Sequence, residues 1–89
     1  MEYIGRITVT LKEGVFDPQG VTIKNALHSL AFAGIREVRT GKYFEAVCQA
    51  ADLPEAEAAI DSMCARLLAN PVIEKYTFTV DRISGETVL

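Results

Sequence analysis

The side chains best suited to nucleophilic or metal chemistry in this sequence are its two cysteines, Cys48 and Cys64, and its single histidine, His28. A catalytic cysteine needs an exposed, electropositive setting and a nearby base. Both cysteines fall on the inward faces of predicted elements, whereas His28 falls on the outer side of a predicted helix. A zinc site needs about four ligands at characteristic spacing. We therefore predict no catalytic residue and no metal site in this chain.

Acid–base and phosphate chemistry are also poorly supported by the sequence. The acidic residues at positions 52, 55, 57 and 61 are interpreted as charges that stabilise the N-terminal end of a helix, because no pocket is indicated around them. Gly41-Lys42 lacks the glycine spacing of a phosphate-binding loop. The loop at residues 12–16 has one glycine and no arginine, unlike the anion cradle that an acyl-phosphate hydrolase needs. We predict no cofactor-binding residue.

Composition and charge restrict the class of protein. A chain of 89 residues, 49% of them apolar, is typical of one globular domain. The net charge of −3 argues against binding to nucleic acid or to an anionic membrane. No apolar run approaches the roughly 20 residues that span a bilayer, and the N-terminal residues do not resemble a signal peptide. We expect a cytoplasmic protein with reduced thiols.

Residues 35–50 alternate between apolar and polar side chains, which is typical of a strand with one buried face. Gly41 interrupts this stretch. A two-residue turn at Gly41-Lys42 would place Arg39 on the core face beside Phe44, which is unfavourable. The sequence therefore predicts either one strand bent at Gly41 or a hairpin with a longer loop, and it leaves this choice open.

Two further strands and two helices surround that stretch. Strands are predicted at residues 3–11 and 72–80. The first helix is predicted to begin at the cap Asp17 and to end at Gly34 in a left-handed conformation. Its predicted core stripe consists of Ile23, Ala26, Leu27, Leu30 and Ala31. The second helix is predicted from Asp52, with Glu55 completing a capping box, to a left-handed cap at Asn70. Its predicted stripe consists of Leu53, Ala56, Ile60, Met63, Cys64 and Leu67.

The resulting order is β-α-β-(β)-α-β. It predicts an α+β fold of two layers, ferredoxin-like, with two helices on one face of a mostly antiparallel sheet. We expect a single domain at residues 1–80 and a polar C-terminal tail at residues 81–89, with a turn at Ser84-Gly85.

A second, weaker apolar stripe on the first helix lies away from the predicted core. It consists of Val21, His28 and Phe32. One interpretation is a surface for a partner chain. The other is the scatter of single apolar residues that is common on protein surfaces.

Four segments together resemble a known family. DPQG at residues 17–20, ALHSLAF at 26–32, VRTGKYFE at 38–45 and CARLLANPVIEKY at 64–76 are similar to the PurS family, the small subunit of phosphoribosylformylglycinamidine (FGAM) synthase. The resemblance covers about residues 3–80 in order. Ala31 stands where the family motif leads us to expect glycine, and the tail from Asp81 lies outside the match.

The resemblance implies a non-catalytic assembly subunit in purine biosynthesis. In the family's complex, a glutaminase subunit, PurQ, releases ammonia, and a synthetase subunit, PurL, uses ATP and Mg to convert formylglycinamide ribonucleotide to the amidine. The small subunit is expected to bridge the two, to support ammonia transfer and to form a homodimer or homotetramer. It would bind no cofactor of its own.

The resemblance also nominates residues for partner contact. It implies that Arg39, Gly41 and Lys42 face a partner, with a backbone bend as the alternative role of Gly41. With the outer stripe of the first helix, this makes six candidate interface residues. An alternative function from a different class is a ferredoxin-like domain that senses a small ligand as a homo-oligomer.

Overall fold

The computed structural model describes residues 1–83, in which three strands and two helices alternate. They are β1 (Glu2–Leu11), α1 (Pro18–Ser29), β2 (Gly41–Gln49), α2 (Leu53–Met63) and β3 (Glu74–Ile83). A π-helical turn, Cys64–Leu68, continues α2. The order and the antiparallel sheet confirm the predicted α+β class.

The sheet has the order β2-β1-β3, and β1 is antiparallel to both neighbours. Alternation along β1 sends every second side chain toward α2. In this register Ile7 lies opposite both Phe44 and Phe78. Ile7, Val9 and, from the α2 side, Ile60 are fully buried and form the centre of the core.

Helix α2 begins as the sequence predicts but ends differently. The Asp52 carboxylate accepts the backbone N–H of Glu55, which confirms the predicted cap. Ala56, Ile60 and Cys64 are buried along one stripe. The prediction for Leu67 is wrong, because 82% of its surface is exposed. The π-turn adds one residue per turn, so the following residues rotate and Leu68 packs against the core instead.

The prediction for residues 35–50 is wrong in its first half. Strand β2 begins only at Gly41, and residues 35–40 are not a strand. They form a segment that lies against α1, where the carbonyl of Ile35 meets the His28 ring and the carbonyl of Val38 lies close to Gly20. The second half behaves as expected, since Phe44, Ala46 and Cys48 pack against the core.

Helix α1 departs most from the prediction, because its expected core stripe is largely exposed. Ile23 is 37% and Leu30 69% exposed, and no helix or strand within residues 1–83 packs extensively against α1. The helix also ends early. Ala31 adopts a left-handed conformation with φ of 74°, whereas Gly34 does not.

The end of α1 forms a Schellman motif around that alanine. The backbone N–H of Phe32 donates to the carbonyl of Leu27 at 2.9 Å, and the N–H of Ala31 donates to the carbonyl of His28 at 3.1 Å. Position C′ of this motif, which glycine usually occupies, is therefore held by Ala31.

The connection to β3 is a turn organised by Asn70, which does not have the predicted left-handed conformation. Its side-chain oxygen instead accepts the backbone N–H of Val72 at 3.1 Å. Strand β3 begins at Glu74, later than predicted, and continues to Ile83. The predicted Ser84-Gly85 turn lies outside the described residues. Of the helices in residues 1–83, none has the length and apolarity needed to cross a membrane.

Candidate assembly surface

Asp17 joins the start of α1 to the start of β2. One carboxylate oxygen, Oδ1, accepts the backbone N–H of Gly20 at 2.8 Å and thereby caps the helix. The other, Oδ2, accepts the backbone N–H of Thr40 at 2.7 Å and the Thr40 hydroxyl at 2.9 Å. Asp17 is 4% exposed, so these donors replace water around the charge. They hold the pKa of the Asp17 carboxyl below its usual value, with the Thr40 amide as the largest cause.

A second contact reinforces this junction. Gly20 lies so close to the Val38 carbonyl that a β-carbon at position 20 would clash with it. Further along, the His28 ring nitrogen Nε2 lies 2.7 Å from the Ile35 carbonyl oxygen, a distance that fits donation by Nε2–H. The segment after α1 is thus held against the helix at both ends. We call residues 18–40, which comprise α1 and this segment, the arm.

The arm carries a large share of the exposed apolar side chains in the described chain. Leu30 is 69%, Phe32 55% and Val21 37% exposed. Phe16, which precedes the arm, is 71% exposed. Leu30 belongs to the predicted core stripe and Val21 and Phe32 to the second stripe, so apolar side chains are exposed on two sides of α1.

The six candidate interface residues fall into two groups. Val21, His28 and Phe32 lie on the exposed arm, and His28 also bonds within it. The other three lie at or next to the start of β2 and have contacts inside the chain. Arg39 donates to the carbonyl of Val15 at 2.9 Å, which holds the loop after β1. The role of all six in partner contact stays a prediction.

Gly41 and Lys42 have identifiable structural roles. A β-carbon on Gly41 would lie 2.7 Å from the Val9 carbonyl oxygen, so β2 approaches β1 closely here. The Lys42 ammonium lies 3.2 Å from Glu74 on the far side of β1. Glu74 also accepts the backbone N–H of Asn70 at 2.7 Å. That bond, and then Lys42, hold the pKa of the Glu74 carboxyl below its usual value.

The titratable side chains in and beside the core, Cys64, Asp61 and Tyr76, contribute to packing and to contacts between elements. Burial, with a smaller contribution from the charge of Asp61, raises the pKa of the Cys64 thiol, which is fully buried. A nucleophilic cysteine requires the opposite shift. The Tyr76 hydroxyl donates to Asp61 at 2.7 Å and joins β3 to α2. Within residues 1–83, no three His, Cys, Asp or Glu side chains are grouped as metal ligands would be.

The sheet face opposite α2 is mostly polar, apart from the paired residues Ile4 and Val47, and no helix packs over it in the described part of the chain. Arg6 on β1 lies 2.9 Å from Asp81 on β3 and 3.7 Å from Glu45 on β2, so ion pairs connect the three strands. The Tyr43 hydroxyl donates to Glu45 at 3.1 Å. This face suits contact with water or with a polar partner surface.

The architecture and sequence together match one family. A sequence model described as "PurS: Phosphoribosylformylglycinamidine (FGAM) synthase" matches residues 5–82. The chain belongs to the PurS family. The FGAM synthase subunit PurS of Synechocystis is 42% identical to it over 83 residues, which cover 93% of this chain and 83% of the relative.

Solved PurS structures share the fold. PurS from Thermus thermophilus has a TM-score of 0.84 and 38% identity, and the match covers 94% of this chain and 100% of that one. A chain in the structure of PurLQS from Thermotoga maritima has a TM-score of 0.83 and 28% identity, covering 90% and 98% of the two chains. The protein is therefore a PurS subunit of FGAM synthase, an enzyme of purine biosynthesis.

Sequence reasoning missed two members of the junction at the base of the arm. It identified Asp17 as a cap, and the structure adds Thr40 and Gly20 as its partners. Gly20 lies three residues after Asp17, and this spacing could have indicated that its backbone N–H donates to the Asp17 cap. No local signal points to Thr40, because it lies 23 positions further along the chain.

Proposed function

We propose that this PurS chain is a non-catalytic assembly subunit. It holds a PurL-type synthetase and a PurQ-type glutaminase together and supports the transfer of ammonia between them. The single observation that carries the proposal is its likeness to a chain of the PurLQS structure, with a TM-score of 0.83. The exposed arm, which carries apolar side chains and no group of candidate catalytic residues, supports the same conclusion.

The chemistry in this proposal belongs to the partner subunits. ATP and Mg are used by the synthetase and glutamine by the glutaminase, and this chain binds none of them. The raised pKa of the buried Cys64 supports a role in packing for the thiol that is deepest in the core. A cytoplasmic location is supported by the two free thiols, which reducing compartments preserve.

We also propose that the chain associates with itself, as a homodimer or as a homotetramer. The exposed apolar side chains of the arm support this, because contact with a second copy would remove them from water.

Reconstitution tests the proposed function. The synthetase and glutaminase subunits from the same source are mixed with glutamine, ATP, Mg and formylglycinamide ribonucleotide, with and without this chain. We expect the chain to raise glutamine-dependent turnover. Ammonium chloride in place of glutamine is the control, because it bypasses transfer between subunits and should make turnover independent of the chain. Equal glutamine-dependent turnover without the chain, or turnover by the purified chain alone, would contradict the proposal.

A further inference from the structure

A polar groove lies at one end of the sheet, where the loop after β1, the segment before β2 and the start of β3 meet. It has a volume of about 550 Å³, and small-molecule sites in proteins typically have about 300–1,000 Å³. Thr10 and Lys75, which line it, are paired in the β1–β3 register. Because the neighbouring Val9 is buried against α2, these two residues lie on the other face of the sheet. The groove therefore borders the polar face.

Four charged side chains line this groove, and none of them pairs with another. Arg39 and Lys75 carry positive charges and Glu13 and Glu37 carry negative ones, so the four charges cancel. Among residues 1–83, every ion pair within 4.0 Å joins other side chains, so these cations and carboxylates are further apart than that. Positive and negative charges are thus presented separately around one open space.

The loop side of the groove is braced from within the chain. The turn at Lys12–Val15 is closed by the Val15 N–H, which donates to the Lys12 carbonyl at 3.2 Å, and Gly14 has the positive φ, 82°, that glycine favours at the third position of a turn. The Arg39 guanidinium donates to the carbonyl of Val15 at 2.9 Å and to that of Lys12 at 3.4 Å. The backbone of Glu13 and the side chain of Arg39 are therefore positioned before any ligand arrives, which lowers the entropy cost of binding.

We propose that this groove binds a neutral α-amino acid as its zwitterion. The ligand's carboxylate lies toward Arg39 and Lys75, and its ammonium lies toward Glu13 and Glu37. Near neutral pH such a ligand carries one charge of each sign, so it meets a partner for both. An inorganic anion would face the two glutamates as well as the two cations, and a simple cation would face the reverse, so neither gains a net attraction.

Binding at this position would stabilise the base of the arm. Thr40 also lines the groove, and its amide and hydroxyl donate to the buried Asp17. A ligand that binds only the folded chain shifts the unfolding equilibrium by mass action, so occupancy is measurable as a change in melting temperature.

Thermal unfolding of the full-length chain with each neutral L-α-amino acid in turn tests for binding. We expect at least one to raise the melting temperature, by about 5–10 °C at about ten times its Kd. For the amino acid with the largest effect, the methyl ester removes the carboxylate charge and the N-acetyl derivative removes the ammonium charge. Each derivative should bind with a Kd at least about ten-fold higher, measured by isothermal titration calorimetry.

Variants that remove one charge test the location of the site. Lys75→Gln and Glu37→Gln should each raise the Kd about ten-fold. Both residues are exposed, so the variants should keep the fold, which circular dichroism checks. Arg82→Gln is the matched control for Lys75, because it removes an exposed cation from the same strand outside the groove. Glu57→Gln, on the exposed side of α2, is the control for Glu37. Neither control should change the Kd.

Nuclear magnetic resonance of the ¹⁵N-labelled chain provides the second readout. Titration with the amino acid should move the amide signals of Gly14, Thr40 and Lys75. Unchanged melting temperatures and amide signals with every amino acid up to about 10 mM would refute the site. Equal affinity for the N-acetyl derivative would refute zwitterion recognition, because an anion would then suffice. An unchanged Kd in both Lys75→Gln and Glu37→Gln would place the ligand outside this groove and overturn the proposal.

Discussion

The carboxylate of Asp17 and the backbone amide of Thr40 are joined by a 2.7 Å hydrogen bond between residues 23 positions apart. Because the other carboxylate oxygen caps α1, this single side chain fixes the base of the arm on the sheet. Asp17 therefore positions the arm, and any contact that the arm makes with another chain depends on it.

We expect Asp17→Asn to lower the melting temperature more than Asp52→Asn does. Asparagine retains the capping oxygen at both sites. At position 17, however, its amide N–H₂ would face the Thr40 amide, so that two donors oppose each other. The Asp52 carboxylate caps α2 through Glu55. Thermal unfolding of both variants at one protein concentration measures this difference. Equal melting temperatures would contradict the stabilisation that we assign to the bond between Asp17 and Thr40.

The stabilisation by Asp17 should depend on pH in one direction. Its folded-state pKa lies below the ordinary value of 3.8. A carboxyl group with a lowered pKa stabilises the fold above the pKa of the unfolded chain, and this is lost as pH falls through the folded-state value. The melting-temperature difference between wild type and Asp17→Asn should therefore have its full size at about pH 6 and shrink below about pH 4. A difference that grows on acidification would argue against this assignment.

Ala31→Gly should stabilise the end of α1. Ala31 has a φ of 74°, a conformation that costs a residue with a β-carbon more than it costs glycine. Glycine loses more entropy on folding, so we expect a net gain of about 0.5–1 kcal/mol in unfolding free energy. Slower hydrogen exchange of the Phe32 amide, which closes the Schellman motif, is the local measurement. Ala33→Gly is the control, because Ala33 is exposed without a positive φ and should gain nothing.

Gly41→Ala tests whether Gly41 has a structural role. The added β-carbon would lie 2.7 Å from the Val9 carbonyl oxygen, and the backbone must shift to accommodate it. We expect a loss of about 1–3 kcal/mol in unfolding free energy, measured by urea denaturation. Gly34→Ala is the matched control, because its β-carbon would enter open space and the change should be within about 0.5 kcal/mol. A fully stable Gly41→Ala chain that fails to support glutamine-dependent turnover would instead favour partner contact.

The thiols should matter for stability and not for the reaction. Cys64→Ala removes a fully buried sulfur and should cost about 1 kcal/mol or more, whereas Cys48→Ala, at a half-buried site, should cost less. Reconstituted synthase containing either folded variant should retain its glutamine-dependent turnover at a temperature well below unfolding. Loss of turnover in a folded Cys64→Ala complex would require a chemical role for the thiol.

Much of this architecture could be predicted from local patterns. Alternation identified β1 and the second half of β2, because side chains on a strand alternate between a buried and an exposed face. Asp17 and Asp52 were identified as helix caps, since a cap acts on amides only three residues away. The family also followed from motifs spread along the chain, and its model matches residues 5–82.

Local patterns misplaced other features for a physical reason. The π-turn that exposes Leu67 depends on how α2 meets the core, and the periodicity of an ideal helix does not report it. The left-handed conformation at Ala31 opposes the intrinsic preference of alanine, so propensity placed the helix end at Gly34 instead. At Ala31, which is exposed, the local hydrogen bonds of the Schellman motif accompany a conformation that opposes a preference of about a kilocalorie per mole.

Local patterns were enough to predict the order of helices and strands, the apolar side of each and the family that the chain resembles, although not every boundary. The position of α1, the exposure of its stripe and the hydrogen bond between Asp17 and Thr40 are visible only in the folded chain. The physical reason is that an apolar stripe encodes the need for burial, while the surface that satisfies this need is set by contacts between residues far apart in the chain.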